Sequence, residues 1–149
     1  MLPDIVSNFY KSNLKWCYDG VFSAQDGKFI VTQDDKNYFE KELGIRNADS
    51  AFIDFYTLVA IPVVGNGSEI STLEKIIEDA ESGEYSSLPG MEDYLRISSI
   101  EGEGSYFYSK VSDEVFDVSW GEEEKLSKRM LQPIYKSFFD FLEWYYTDK

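Results

Sequence analysis

The sequence predicts an α+β fold, an antiparallel β-sheet meander flanked by helices. Three observations predict it. Up to about residue 80 the apolar residues recur at helical spacing, as in Phe52, Phe55, Tyr56 and Val59. At Tyr94 the period drops from 3.6 to 2 and stays there to Trp120. After Pro133 a dense aromatic run returns to helical spacing. Strands this close in sequence are most simply paired as an antiparallel meander. The 149 residues are the length of one domain, 1–149, and the 25 aromatics give it core bulk. No repeat or low-complexity linker divides the chain.

The elements follow in order. Val6, Phe9, Tyr10 and Leu14 predict a helix over 5–16, broken by Gly20. Val21-Phe22 and Lys28 to Val31 flank Gln25-Asp26-Gly27, an Asp-Gly hairpin signal. Asp35 to Leu43 reads as a short helix closed by Gly44, which suits a left-handed cap. Asp49 or Ser50 caps the next helix. Ile61 to Val64, with Pro62 inside, suits an edge strand or an extended connector. Gly65-Asn66-Gly67 is a turn, with no Gly-Lys-Ser/Thr after it to make a phosphate loop.

Ser71-Thr72-Leu73-Glu74 has the form of a capping box, and Leu73, Ile76, Ile77 and Ala80 share the face of the helix that follows. Residues 81–92 read as a polar loop around Pro89-Gly90. Strands are expected at 94–100, 105–110 and 114–120, the last with Phe116, Val118 and Trp120 on one face. A charged helix over 121–129 and a helix over 134–146 complete the chain. The second is apolar nearly all round, so it is either deeply buried or shared with a partner.

Composition narrows the function. Of the net charge of −14, residues 66–124 carry −13, from 16 acids against Lys75, Arg96 and Lys110. Such a field repels anions and speeds the approach of a basic partner. Direct binding to nucleic acid or anionic lipid is not expected. A solvated acidic surface that merely keeps the protein soluble is the competing explanation. Histidine is absent, which removes the usual general base and the commonest metal ligand. With Cys17 the lone cysteine, an internal disulfide is ruled out and a structural zinc site all but excluded. No Asp-x-Asp/Asn-x-Asp/Asn-Gly calcium loop is present. The opening MLPDIVSNFYKSN lacks a basic n-region and a long apolar stretch, so no signal peptide is expected. No run is long enough to span a membrane. The expectation is a cytoplasmic protein that is not an enzyme and takes no cofactor.

Residues 94–145 carry a resemblance. The run Tyr94-Leu-Arg-Ile-Ser-Ser-Ile-Glu-Gly-Glu-Gly-Ser-Tyr-Phe-Tyr108 resembles a core strand, Gly-rich turn and second strand of the SUKH superfamily. Glu114-Val-Phe-Asp-Val-Ser-Trp120 looks like its next strand. Ser137-Phe-Phe-Asp-Phe-Leu-Glu-Trp-Tyr145 looks like its closing Ser-Phe-x-x-Phe-Leu helix. The resemblance extends over residues 35–146. Ile61-Pro62-Val63-Val64 departs from it, and residues 1–34 stand outside it as an N-terminal extension. The superfamily includes the fungal Smi and Knr cell-wall-assembly regulators and many bacterial immunity proteins. It implies an α+β fold and a binding role, in bacteria the neutralisation of a polymorphic toxin domain, often a nuclease. It has no shared catalytic motif to carry over.

The two lines meet in a protein partner, a basic toxin domain, bound at an acidic surface. The candidate partner-binding residues are Glu101, Glu103, Tyr106, Tyr108, Asp113, Glu114, Glu122 and Glu123. Acids and aromatics on one face would make an energetically dense interface. Each has a plainer explanation. Glu101-Gly102-Glu103-Gly104 is equally an ordinary strand turn, and Glu122-Glu123-Glu124 equally favourable charge in a first helical turn. One side of the Tyr106–Tyr108 strand must face the core, and core packing is the expectation for Trp120. Two alternatives remain: a non-catalytic regulator or scaffold of the Smi/Knr type, and a hydrolase using carboxylates among Asp113, Glu114 and Asp117. Oligomeric state is left open.

Overall fold

The computed structural model describes residues 1–22, 27–99 and 104–147. Its architecture is α+β. Among the described residues four α-helices precede the sheet: α1 (Asp4–Lys11), α2 (Gln33–Leu43), α3 (Ala51–Leu58) and α4 (Leu73–Glu81). The strands β1 (Tyr94–Arg96), β2 (Gly104–Ser109) and β3 (Val115–Ser119) pair antiparallel in the order β1-β2-β3. Helices α5 (Glu123–Ser127) and α6 (Phe138–Tyr145) follow. Leu95 lies opposite Tyr108, and Phe107 opposite Phe116. The meander and its period therefore stand as the alternation predicts.

Alternation decides what each face of the sheet holds. Leu95, Tyr106, Tyr108 and Val115 join one large apolar cluster with α1, α3 and α6. Tyr94, Phe107, Phe116 and Val118 join a smaller cluster on the other face, closed by Tyr85, Met91 and Leu126. The loop before the sheet is thus more than polar spacing, because it delivers Tyr85 and Met91 into that second layer. The N-terminal segment is equally integrated: Leu2, Val6 and Tyr10 pack in the same cluster as α6.

Helix α3 lies at the centre. All of Ala51 to Tyr56 and Leu58 are buried, so its predicted stripe has become a whole circumference. Ser50 caps it, accepting from the Phe52 N–H at 3.1 Å. Phe52 stacks on Tyr108 with ring centroids 4.5 Å apart. Buried Asp54 meets the amino group of Met1.

Several boundaries differ from the sequence expectation, each for a nameable reason. Helix α2 begins earlier, because Thr32 and Asp35 form a reciprocal capping box, and it ends at Gly44 with φ +72° as expected. Helix α4 starts from Thr72, not Ser71: the Thr72 hydroxyl accepts from the Lys75 N–H at 3.2 Å. Ser71 is engaged elsewhere, its N–H donating to Ile97 O at 2.7 Å and its carbonyl accepting from the Tyr56 hydroxyl at 2.8 Å. Strand β1 ends at Arg96, beyond which Ser98 bridges Ile70. Residues 134–137 are not helical, because Tyr135 pairs with Val115 and Ser137 caps α6 through the Asp140 N–H at 3.1 Å. Helix α6 buries Phe138, Phe141, Leu142 and Tyr145 and exposes Asp140 and Glu143, so the fold itself satisfies its apolar face. The Phe22–Phe29 bridge lies where the hairpin is predicted, and of its turn Gln25 and Asp26 lie outside the described residues.

Residues 61–64 form the extended connector, not a strand. A closed ring of hydrogen bonds pins it. The Val63 N–H donates to the Tyr10 hydroxyl at 3.0 Å, the Tyr10 and Tyr146 hydroxyls are 2.6 Å apart, and the Tyr146 hydroxyl donates to Val63 O at 3.0 Å. At Gly65 a side chain would stand 2.1 Å from the Tyr145 carbonyl oxygen, so only glycine lets the connector lie against α6.

Candidate partner-binding site

The structure separates the eight candidate residues into three groups. Glu101 and Glu103 lie outside the described residues. Tyr106 and Tyr108 are core residues, 8% and 0% exposed, and offer no surface to a partner. Their side of β2 is the one covered by α3 and α6. Burial, and then the charge of Asp113, push the Tyr108 hydroxyl far above its ordinary pKa. The remaining acids sit at the β2–β3 turn and the start of α5.

Asp113 is a corrected assignment too. Its backbone is left-handed, φ +67°, a conformation that aspartate tolerates better than most residues. That turn sends the carboxylate inward. One oxygen accepts from the Ser50 hydroxyl at 2.5 Å and from the Tyr108 hydroxyl at 2.7 Å. The other faces the Phe138 N–H at 3.4 Å. One side chain thereby ties the turn to the first residues of α3 and α6. Asp113→Ala should cost about 1–3 kcal/mol, because it strands a buried hydroxyl donor. Asp113→Asn, which keeps an acceptor and the backbone preference, should recover most of that in denaturant unfolding. Equal stability of wild type and Asp113→Ala would return the residue to the surface set.

Glu114 is half-buried and accepts from the Ser112 hydroxyl at 2.7 Å. Glu122 precedes α5 and stands 3.9 Å from Lys125. Glu124 pairs with Lys128 at 2.8 Å, and that contact lowers its pKa. Glu123 makes no ion pair among the described residues. Asp117 is exposed opposite Tyr106, so Asp113, Glu114 and Asp117 have separate surroundings and form no convergent pair.

Trp120 is where the sequence expectation fails most usefully. It is 66% exposed. Strand β3 stops at Ser119, and Gly121 turns the chain with φ +80°, so alternation no longer governs the next side chain. Trp120 flanks a cleft of about 320 Å³, together with Leu88, Ser105, Val118, Glu84 and Glu123. Strand β2 enters at Gly104, where a Cβ would meet Val118 O at 2.2 Å.

At the back of this cleft buried Arg96 and Asp79 join exposed Glu84 and Lys75 in a charge network. The Arg96 guanidinium donates to Glu84 at 2.7 Å and lies 3.3 Å from Asp79, and Lys75 reaches Asp79 at 2.9 Å. The Tyr85 ring covers Arg96 with 5.4 Å to the centroid. Two carboxylates thus offset two cations, and Arg96, the basic residue that lines the cleft among the described residues, is already engaged. A second cavity of about 460 Å³ shares Glu84 and Arg96 and extends to the start of α4. Lys110, the remaining base of the acidic stretch, is held below its ordinary pKa by burial.

Sequence reasoning weighed Trp120 as a binding aromatic but favoured the core for it, and it did not single out Leu88 or Ser105. A signal for Trp120 did exist: Gly121 directly after a strand's last alternating residue marks the point where the pleat ends.

Among the described residues no group of three or more acidic or cysteine side chains is placed to hold a metal ion, and no helix is long and apolar enough to cross a membrane. No family model, curated protein or solved structure matches the chain.

Proposed function

We propose that this protein is a cytoplasmic immunity protein of the SUKH type, which binds a basic toxin domain through its acidic face and blocks it. The observation that carries the proposal is Trp120, exposed in a concave site between Glu84 and Glu123, within a stretch of net charge −13. An exposed tryptophan in an acidic cleft is the kind of anchor that concentrates binding energy. The surrounding field supplies approach rate, since acidic and basic surfaces attract before they touch. A nuclease domain is the fitting target class, because an enzyme that grips phosphate is itself basic. A steric block follows if the same basic surface is the one that binds nucleic acid.

The test is co-expression with the toxin domain encoded immediately upstream of this gene. Growth should be rescued and a complex should form. Reversing Glu101, Glu103 and Glu123 to lysine should slow association at low salt and do so less at high salt, because screening at physiological ionic strength acts over about 8 Å. Absence of an upstream toxin gene, or failure to rescue, would sink the immunity reading. An association rate unchanged at both salt concentrations would leave the acidic stretch a solubility surface.

A further inference from the structure

We propose that the Trp120 cleft is a receptor for one arginine side chain of a basic protein partner. This rests on the partner class proposed above and adds the residue chemistry that the cleft reads. At about 320 Å³ the cleft lies at the lower end of ligand pockets, roughly 300–1,000 Å³, which suits a single long side chain. Its walls divide along the length of an arginine. Leu88 and Val118 give apolar surface to a methylene stem, and exposed Trp120 gives a ring face to a flat cation. Glu123 gives a carboxylate that no ion pair occupies among the described residues.

Ser105 supplies a second acceptor in the cleft. It lies on β2 and lines the cleft, it is only 7% exposed, and its hydroxyl makes no hydrogen bond among the described residues. The hydroxyl is open to the cleft and bonded to no described residue, so it is free to accept from a donor that enters. A guanidinium meets these demands together. It stacks flat on an indole while its fork of N–H groups donates to separate acceptors, here Glu123 and Ser105. A lysine ammonium is more strongly hydrated and cannot stack. Arg96 at the back of the cleft does not oppose this, because Glu84 and Asp79 already offset its charge.

The test uses the full chain with hexa-arginine and hexa-lysine peptides, titrated calorimetrically at low salt. Hexa-arginine should bind about tenfold more tightly than hexa-lysine. Trp120→Ala, at an exposed position, should abolish that preference while leaving hexa-lysine affinity nearly unchanged, and Ser105→Ala should reduce it. Equal affinity for the two peptides, or a preference that survives Trp120→Ala, would overturn the receptor and leave only an acidic field. The two readings fail separately. If Trp120→Ala still neutralises the upstream toxin at full strength, the arginine receptor falls and immunity stands. If the arginine preference is present but no toxin is neutralised, immunity falls and the receptor stands.

Discussion

Replacing Phe138 with alanine should lower the unfolding free energy by about 3–5 kcal/mol, a large share of the roughly 5–15 kcal/mol typical of a domain. Phe138 is fully buried at the first turn of α6 and packs where the helices meet the sheet. Its ring lies 5.2 Å from Phe52, 5.4 Å from Tyr108 and 5.6 Å from Phe141. Removing it empties a space bounded by rigid rings from α3, β2 and α6, none of which can collapse into it without losing its own contacts. The cavity term therefore adds to the lost transfer energy. Phe141→Ala should behave similarly, with rings of Tyr106, Tyr135 and Tyr145 around it. Denaturant midpoints at constant slope measure the loss. A melting temperature unchanged in Phe138→Ala would remove this residue from the core.

Alkali should unfold the protein through its buried tyrosines. Burial raises the Tyr10 hydroxyl to about 12, and burial followed by the proximity of Tyr10 pushes Tyr146 further in the same direction. In the unfolded chain a tyrosine titrates near 10. Because the folded values are raised, the stabilisation is complete below pH 10. It is lost as pH climbs from 10 toward 12, where the unfolded chain sheds protons that the native state retains. For Tyr10 alone the loss approaches about 3 kcal/mol by pH 12, since one pKa unit is worth about 1.4 kcal/mol. The geometry agrees with the sign: an ionised Tyr10 could no longer donate within the ring that joins Tyr146 and Val63. Unfolding free energy measured from pH 8 to 12 should fall more steeply for the wild type than for the Tyr10→Phe, Tyr146→Phe double variant. Parallel curves would show that these hydroxyls do not govern alkaline stability.

The sequence by itself determined the α+β class, the three-stranded meander and the stop of α2 at Gly44, because these rest on local physics. A period of 2 or 3.6 and a left-handed glycine are properties of neighbouring residues. The same local physics fixed that Tyr106 and Tyr108 share a face, but not whether that face would be covered. The arrival of α3 and α6 decided it. Asp113 reads as one more acid in an acidic run. Only contacts reaching across the chain to Ser50, Tyr108 and Phe138 turned it inward. Trp120 reads as a core residue because it continues an alternation, yet strand β3 ends one residue earlier and the side chain is left exposed. The start of α4 moved from Ser71 to Thr72 because Ile97 and Tyr56, distant in sequence, claimed the Ser71 backbone. Charge is additive along a chain, so the acidic stretch 66–124 was legible from the sequence. Which of its carboxylates stay unpaired is set by which cations fold against them, and only the tertiary structure brings Arg96 to Asp79 and Glu84 while leaving Glu123 beside Trp120.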